Sequence, residues 1–204
     1  METKNREGRS PKGLAEKEIP RLIGIGGAGH RVGCTHFSIM MLNYLTGYKR
    51  RKAALLEWNP SGDFERVELI CKGRSHGQKP YRVLEGDYFK AAGPRELAAA
   101  FQSNYDDILI DFGSLMETVS VEFLRCEKQF LIGSFSEWQE MEFREFVRKN
   151  KTGSSGWRYL AAFGSEETRR EFKKRPGIFV DRIPFSADAF SVTKEIGLFF
   201  EALI

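Results

Sequence analysis

The 204 residues, 41% hydrophobic and 29% charged, carry enough apolar material for one core and too much for a disordered chain; the length excludes two full domains. A net charge of +4, from 32 basic against 28 acidic side chains spread along the chain, permits nucleic-acid binding without indicating it. No apolar run approaches the roughly 18–20 residues that cross a bilayer, so a membrane span is not expected. Residues 1–18 are polar and charged, lack the hydrophobic centre of a signal peptide, and read as a mobile tail before one domain over 19–204.

From Ile19 onward short apolar runs alternate with helical patterns, which predicts an α/β fold, a doubly wound and mostly parallel sheet with helices on both faces. The predicted strands are 20–26, 53–58, 107–111, 129–133, 157–162 and 177–182. The predicted helices are 34–46, 94–103, 137–149, 166–174 and 188–203. Between Phe64 and Lys90 two apolar runs flank a Gly/Ser/His/Gln stretch, which suggests an inserted hairpin. The basic run Lys49-Arg50-Arg51-Lys52 reads as a solvated turn. Ser136, with Gln139 three residues on, reads as the cap of the helix that follows. In the last helix Val192, Ile196, Phe199 and Leu203 form one stripe, and its thin polar face favours core packing over a membrane surface.

The most informative stretch is Leu22-Ile23-Gly24-Ile25-Gly26-Gly27-Ala28-Gly29-His30-Arg31-Val32-Gly33-Cys34-Thr35-His36, between the first strand and the first helix. Glycines there let the backbone wrap a phosphate with N–H groups, and the helix N-terminus adds partial positive charge. Two nucleotide folds fit. Gly24, Gly26 and Gly29 match G-x-G-x-x-G, with Glu57 as the ribose acid of a dinucleotide-dependent oxidoreductase; that reading requires a helix from about Gly29. The phosphate-loop pattern G-x-x-x-x-G-K-[ST] aligns instead on residues 28–35, starts the helix at Gly33–Thr35, and makes Thr35 the hydroxyl for Mg²⁺. In that alignment Ala28 replaces the first glycine and Cys34 replaces the lysine.

Cys34 lies between His30 and His36 at a helix start, where a lowered thiol pKa would favour redox or metal chemistry. The three cysteines, Cys34, Cys71 and Cys126, nevertheless show neither zinc spacing nor pairing, which fits a reducing, cytoplasmic setting.

Three later stretches resemble the ParA/MinD group of P-loop ATPases. Ala53-Ala54-Leu55-Leu56-Glu57-Trp58-Asn59-Pro60-Ser61-Gly62 resembles the second strand of that group, with Glu57 and Asn59 on its two aspartates. Asp107-Ile108-Leu109-Ile110-Asp111 resembles its Walker B strand, with Asp111 on the acid that orders the magnesium water and Gly113 in the switch turn. Gly177-Ile178-Phe179-Val180-Asp181-Arg182-Ile183-Pro184-Phe185 is similar to its last strand, with Pro184 on the adenine-side loop.

The resemblance spans about residues 20–204. It implies ATP or ADP with Mg²⁺, phosphate contacts from Gly29, His30, Arg31, Val32, Gly33, Cys34, Thr35 and His36, and magnesium contacts from Thr35 and Asp111. It also implies a nucleotide-linked homodimer, with Trp138 near the contact, and a further protein partner.

Departures are as informative. Gly29 stands where the group carries a second, signature lysine, so both phosphate lysines are missing. Such cations are worth about 10³–10⁵ in phosphoryl-transfer rate, roughly 4–7 kcal/mol, so hydrolysis is expected to be slow or absent while binding survives on backbone N–H groups. Arg31 and His30 are candidate replacements. Degenerate loops of this kind resemble the TadZ/CpaE branch, which points to positioning of pilus-assembly or secretion machinery. A pseudo-ATPase that binds no nucleotide is the remaining reading.

Overall fold

The computed structural model describes residues 19–150, 156–174 and 178–204. The expected tail over 1–18 and the start of the last expected strand, at residue 177, lie outside the described residues. Eight strands are described: β1 (Arg21–Gly27), β2 (Ala53–Glu57), β3 (Tyr81–Val83), β4 (Gly86–Phe89), β5 (Asp107–Ser114), β6 (Lys128–Gly133), β7 (Trp157–Ala161) and β8 (Val180–Arg182). They form one sheet in the order β3-β4-β2-β5-β1-β6-β7-β8. Only β3–β4 is antiparallel; the other neighbours are parallel.

The described helices are α1 (Cys34–Asn43), α2 (Asp63–Lys72), α3 (Pro94–Gln102), α4 (Val121–Leu124), α5 (Glu140–Asn150), α6 (Glu166–Lys174) and α7 (Lys194–Leu203). A π-helical turn, Tyr44–Tyr48, continues α1. The predicted α/β architecture is the one found.

Both faces of the central strands are buried, which explains their unbroken apolar runs. Ile23, Ile25, Leu55 and Leu109 join a core under α1 and α7, whereas Ala54, Leu56, Ile108 and Ile110 join a core under α3, α4, α5 and α6. Phe37 and Tyr44 meet Phe200 of α7 at ring-centroid distances of 5.4 and 5.2 Å. Ile196 and Leu203 are buried, with Val192 and Phe199 packed beside them, so the C-terminal stripe serves the core. On the opposite face α5 can approach β6 because Gly133 has no side chain: a Cβ there would lie 2.5 Å from the Phe143 ring. The basic run is tied down at two points, with Lys49 bonded to Glu201 at 2.8 Å and Arg51 paired with the buried Asp107.

The expected hairpin over 64–90 is corrected. Residues 63–72 are a helix, and the hairpin is confined to β3 and β4. Gly62 and Gly73, both left-handed (φ 68° and 72°), bracket α2; Asp63 and Glu65 occupy its first turn, and Lys72 its last, as the helix dipole favours. The apolar pattern misleads because Leu69 and Ile70 face solvent. Topology requires the helix, since β2 and β4 are parallel and need a crossover. Glu68 anchors α2 from below: it is fully buried and accepts from His76 Nδ1 (2.7 Å) and from Lys90 Nζ. Burial alone would raise this carboxyl, but those bonds hold it down at about 2.

Smaller differences concern boundaries. The helix expected over 137–149 begins at Glu140, because the Ser136 hydroxyl bonds Ser134 and the Gln139 side chain rather than a helix N–H. The last helix begins at Lys194, capped by the Thr193 hydroxyl on the Ile196 N–H.

Candidate functional site

The chain leaves β1 and passes through a short loop into α1. Two tethers shape that loop: the Ala28 N–H donates to the Ile132 carbonyl (2.8 Å), and Gln139 Nε2 donates to the His30 carbonyl (3.0 Å). Arg31 (φ 58°) and Gly33 (φ 96°) both take left-handed conformations, and Gly33 is the residue before the first helical position, Cys34. This helix start is the one the phosphate-loop alignment requires, and it is five residues too late for the dinucleotide reading. Gly24 and Gly26 have a different use. A Cβ at Gly24 would lie 2.8 Å from Cys126 Sγ, and one at Gly26 would lie 2.3 Å from Leu115 Cδ1, so these glycines allow close packing within the fold.

Beyond the loop lies an open cleft of about 1130 Å³ at the carboxyl ends of β1, β2 and β5. Open α/β sheets bind ligands at such a place, where the strand order reverses about β1. Gly29, His30, Arg31, Val32, Gly33, Cys34 and Thr35 line one wall; Asn59, Ser61, Asp63 and Arg66 line another. His36 lies outside this lining, with Nε2 buried and unpartnered. Pro184, beyond the end of β8, also lies outside it.

Asp111 sits at the base, fully buried. Its Oδ1 accepts from the Gly113 N–H at 3.0 Å, while Oδ2 is buried with no hydrogen-bond partner. Burial pushes its carboxyl up to about 6; the nearby Thr35 hydroxyl and the Gly113 N–H oppose that rise, and Glu57 and Asp63 add to it. An unpaired buried carboxylate oxygen beside a helix-start hydroxyl is the donor set that a hydrated divalent cation fits. Among the described residues no three His, Cys, Asp or Glu side chains cluster for a metal. A cation here would therefore complete its shell from phosphate oxygens and water, as magnesium does in nucleotide sites.

Cys34 is a buried thiol. Burial, and then the charge of Asp111, raise its pKa well above the ordinary thiol value, against the lowering expected from the helix start.

Glu57 is also placed differently from the position its alignment implies. It is outside the cleft lining and almost wholly buried. One oxygen accepts from Ser61 Oγ and from the Phe64 N–H (both 3.1 Å), and the other from the Ala91 N–H (3.2 Å). The carboxylate thus caps the start of α2. Asn59 does line the cleft, but its amide is engaged: Nδ2 donates to the Asp111 carbonyl (3.0 Å), and Oδ1 accepts from the Ser61 N–H (3.0 Å). Sequence reading missed Gln139 as a tether of the loop, although the Ser136–Gln139 spacing had marked it. It also missed Arg66, hidden in the segment taken for a strand.

No protein-family model matches the sequence, and no curated protein matches it. Solved structures do. A ParA family ATPase from Chlorobium tepidum superposes with a TM-score of 0.63 at 17% identity, covering 87% of this chain and 89% of that one. A plasmid partition protein from Borrelia burgdorferi bound to AMPPNP gives 0.60 at 15%, covering 89% and 96%. MinD in the MinC:MinD complex of Aquifex aeolicus gives 0.58 at 11%, covering 82% of each chain. Likeness at such identities concerns architecture, and by it this chain has the fold of the ParA/MinD P-loop ATPases.

Proposed function

We propose that the protein binds ATP, or its product ADP, with Mg²⁺ and acts as a switch or scaffold with slow or no hydrolysis. One observation carries this reading: the left-handed turn at Gly33 delivers Thr35 beside Asp111, whose second carboxylate oxygen is buried and unpaired. The N–H groups of the loop and the first turn of α1 would bind phosphate oxygens. Thr35 and Asp111 would hold magnesium, which when bound neutralises phosphate charge.

Slow turnover follows from the other side chains. Cys34 stays a neutral thiol where a lysine would bear charge, and Gly29 offers none. Glu57 and Asn59 are committed to the local backbone, so neither is placed to orient an attacking water. Bound nucleotide would then govern association, with a second copy of this chain and with a protein partner, as in positioning of pilus-assembly or secretion machinery. Among the described residues no helix is long and apolar enough to cross a membrane.

Calorimetric titration with ATP and Mg²⁺, with NAD as the control ligand, tests the reading. The expected result is magnesium-dependent ATP binding that Thr35→Ala abolishes, and no heat with NAD. Absence of ATP binding by the unmodified protein would overturn it and leave a fold retained for protein contacts.

A further inference from the structure

Resting on the nucleotide-binding reading above, we infer that Arg66 supplies, from the wall opposite the phosphate loop, the cation that the loop lacks, and binds the outermost phosphate of a nucleoside triphosphate. The inference begins with charge. The cleft is lined by the acids Asp63 and Glu117, with Asp111 at its base, and the arginines among its lining residues are Arg31 and Arg66. A triphosphate adds about four negative charges and its magnesium returns two, so cations on the walls decide whether the complex is held.

Arg31 and His30 are shared with a second cavity of about 530 Å³ on the far side of the loop, bordered by Trp138 and Phe163. Arg66 lines the main cleft and not that second cavity. It is also fixed at its root. Its helix begins at a left-handed glycine, is capped by Glu57 on the Phe64 N–H, and is anchored through buried Glu68 to Lys90.

The guanidinium is available. Among the described residues its ion pair, Nη1 to Asp63 Oδ1 at 2.6 Å, joins side chains that are 70% and 38% exposed. Such exposed pairs are screened by solvent and hold weakly. Phosphate offers the same fork geometry with more charge, so exchange of carboxylate for phosphate is favourable. Location supports the assignment to the outermost phosphate: Asn59 on the same wall donates to the Asp111 carbonyl, and Glu57, in register with Asp111, caps the helix that carries Arg66, so the Asp63–Arg66 pair stands on the side of the cleft that holds the magnesium acid.

The test is equilibrium binding of ATP and ADP, each with Mg²⁺, to the full chain and to Arg66→Ala, Arg66→Lys and Asp63→Asn, with melting curves to confirm folding. Arg66→Ala should weaken ATP by about 10- to 100-fold and ADP by less than about threefold, as expected for loss of a charged hydrogen bond to one phosphate. Arg66→Lys should recover part of the loss. Asp63→Asn should tighten ATP by several-fold, and that gain should vanish in the Asp63→Asn/Arg66→Ala double variant. Unchanged ATP affinity in Arg66→Ala, or equal losses for ATP and ADP, would overturn the inference while leaving the nucleotide site intact. An unmodified protein that binds neither nucleotide would instead remove the reading on which it rests.

Discussion

Glu57 and Asp111 are directly paired in register on adjacent parallel strands, and both are almost completely buried, yet they serve opposite ends. Glu57 has three donors: one hydroxyl and two backbone N–H groups. Asp111 has one backbone donor, the Thr35 hydroxyl nearby, and an oxygen left over. A carboxylate with donors on both oxygens is part of the scaffold, because the fold itself satisfies it. An unsatisfied one carries a cost that only something from outside relieves, and that asymmetry separates the wall of the cleft from its working point.

The largest effect should come from breaking the satisfied member. Glu57→Ala orphans the donors at Phe64 and Ala91 and opens a cavity, and should lower unfolding free energy by about 3–5 kcal/mol in urea titrations. The variant that remains folded should keep its magnesium dependence.

Asp111→Asn should do the reverse. A carboxyl whose pKa is raised by folding stabilises the native state below its unfolded value and loses that contribution as pH rises through about 6. At pH 7.5 the buried charge therefore destabilises the native state. Asp111→Asn should melt higher than the unmodified protein at pH 7.5, with the difference shrinking toward pH 4, and should lose magnesium-dependent nucleotide binding.

Two smaller changes sharpen the contrast from the loop side. Cys34→Lys introduces an ammonium at the start of α1, next to Asp111, and should tighten triphosphate binding by about tenfold, measured by titration. Gln139→Ala removes the tether to the His30 carbonyl and should cost about 1 kcal/mol in stability, with a few-fold weaker phosphate binding.

The strands of this fold were legible because buried parallel strands are written as continuous apolar runs, and the helix start was legible because Gly33 precedes a helical pattern. What failed is equally physical. Residues 63–72 carry exposed Leu69 and Ile70, so their composition suggests a strand while Gly62, Gly73 and the end charges specify a helix. The role of Glu57 was hidden because two of its donors are backbone N–H groups, which leave no signature in side-chain identity. Thr35 and Asp111 were paired by resemblance, and the structure adds that one oxygen of Asp111 is buried without a partner.

The placement of β5 has a consequence in time. This strand lies between β1 and β2, so neither earlier strand can complete its ladder until Asp107 and the residues after it exist. Arg21 and its partner Asp107 are 86 positions apart. At synthesis rates of about 5–20 residues per second, Ile23 and Ile25 wait roughly 4–17 seconds for their β5 neighbours. During that interval the glycine loop has been made but has no carboxylate beside it. The cleft is completed by insertion of a strand rather than by growth from one end, and a chain stalled before residue 107 would offer an apolar edge to solvent and no place for a cation.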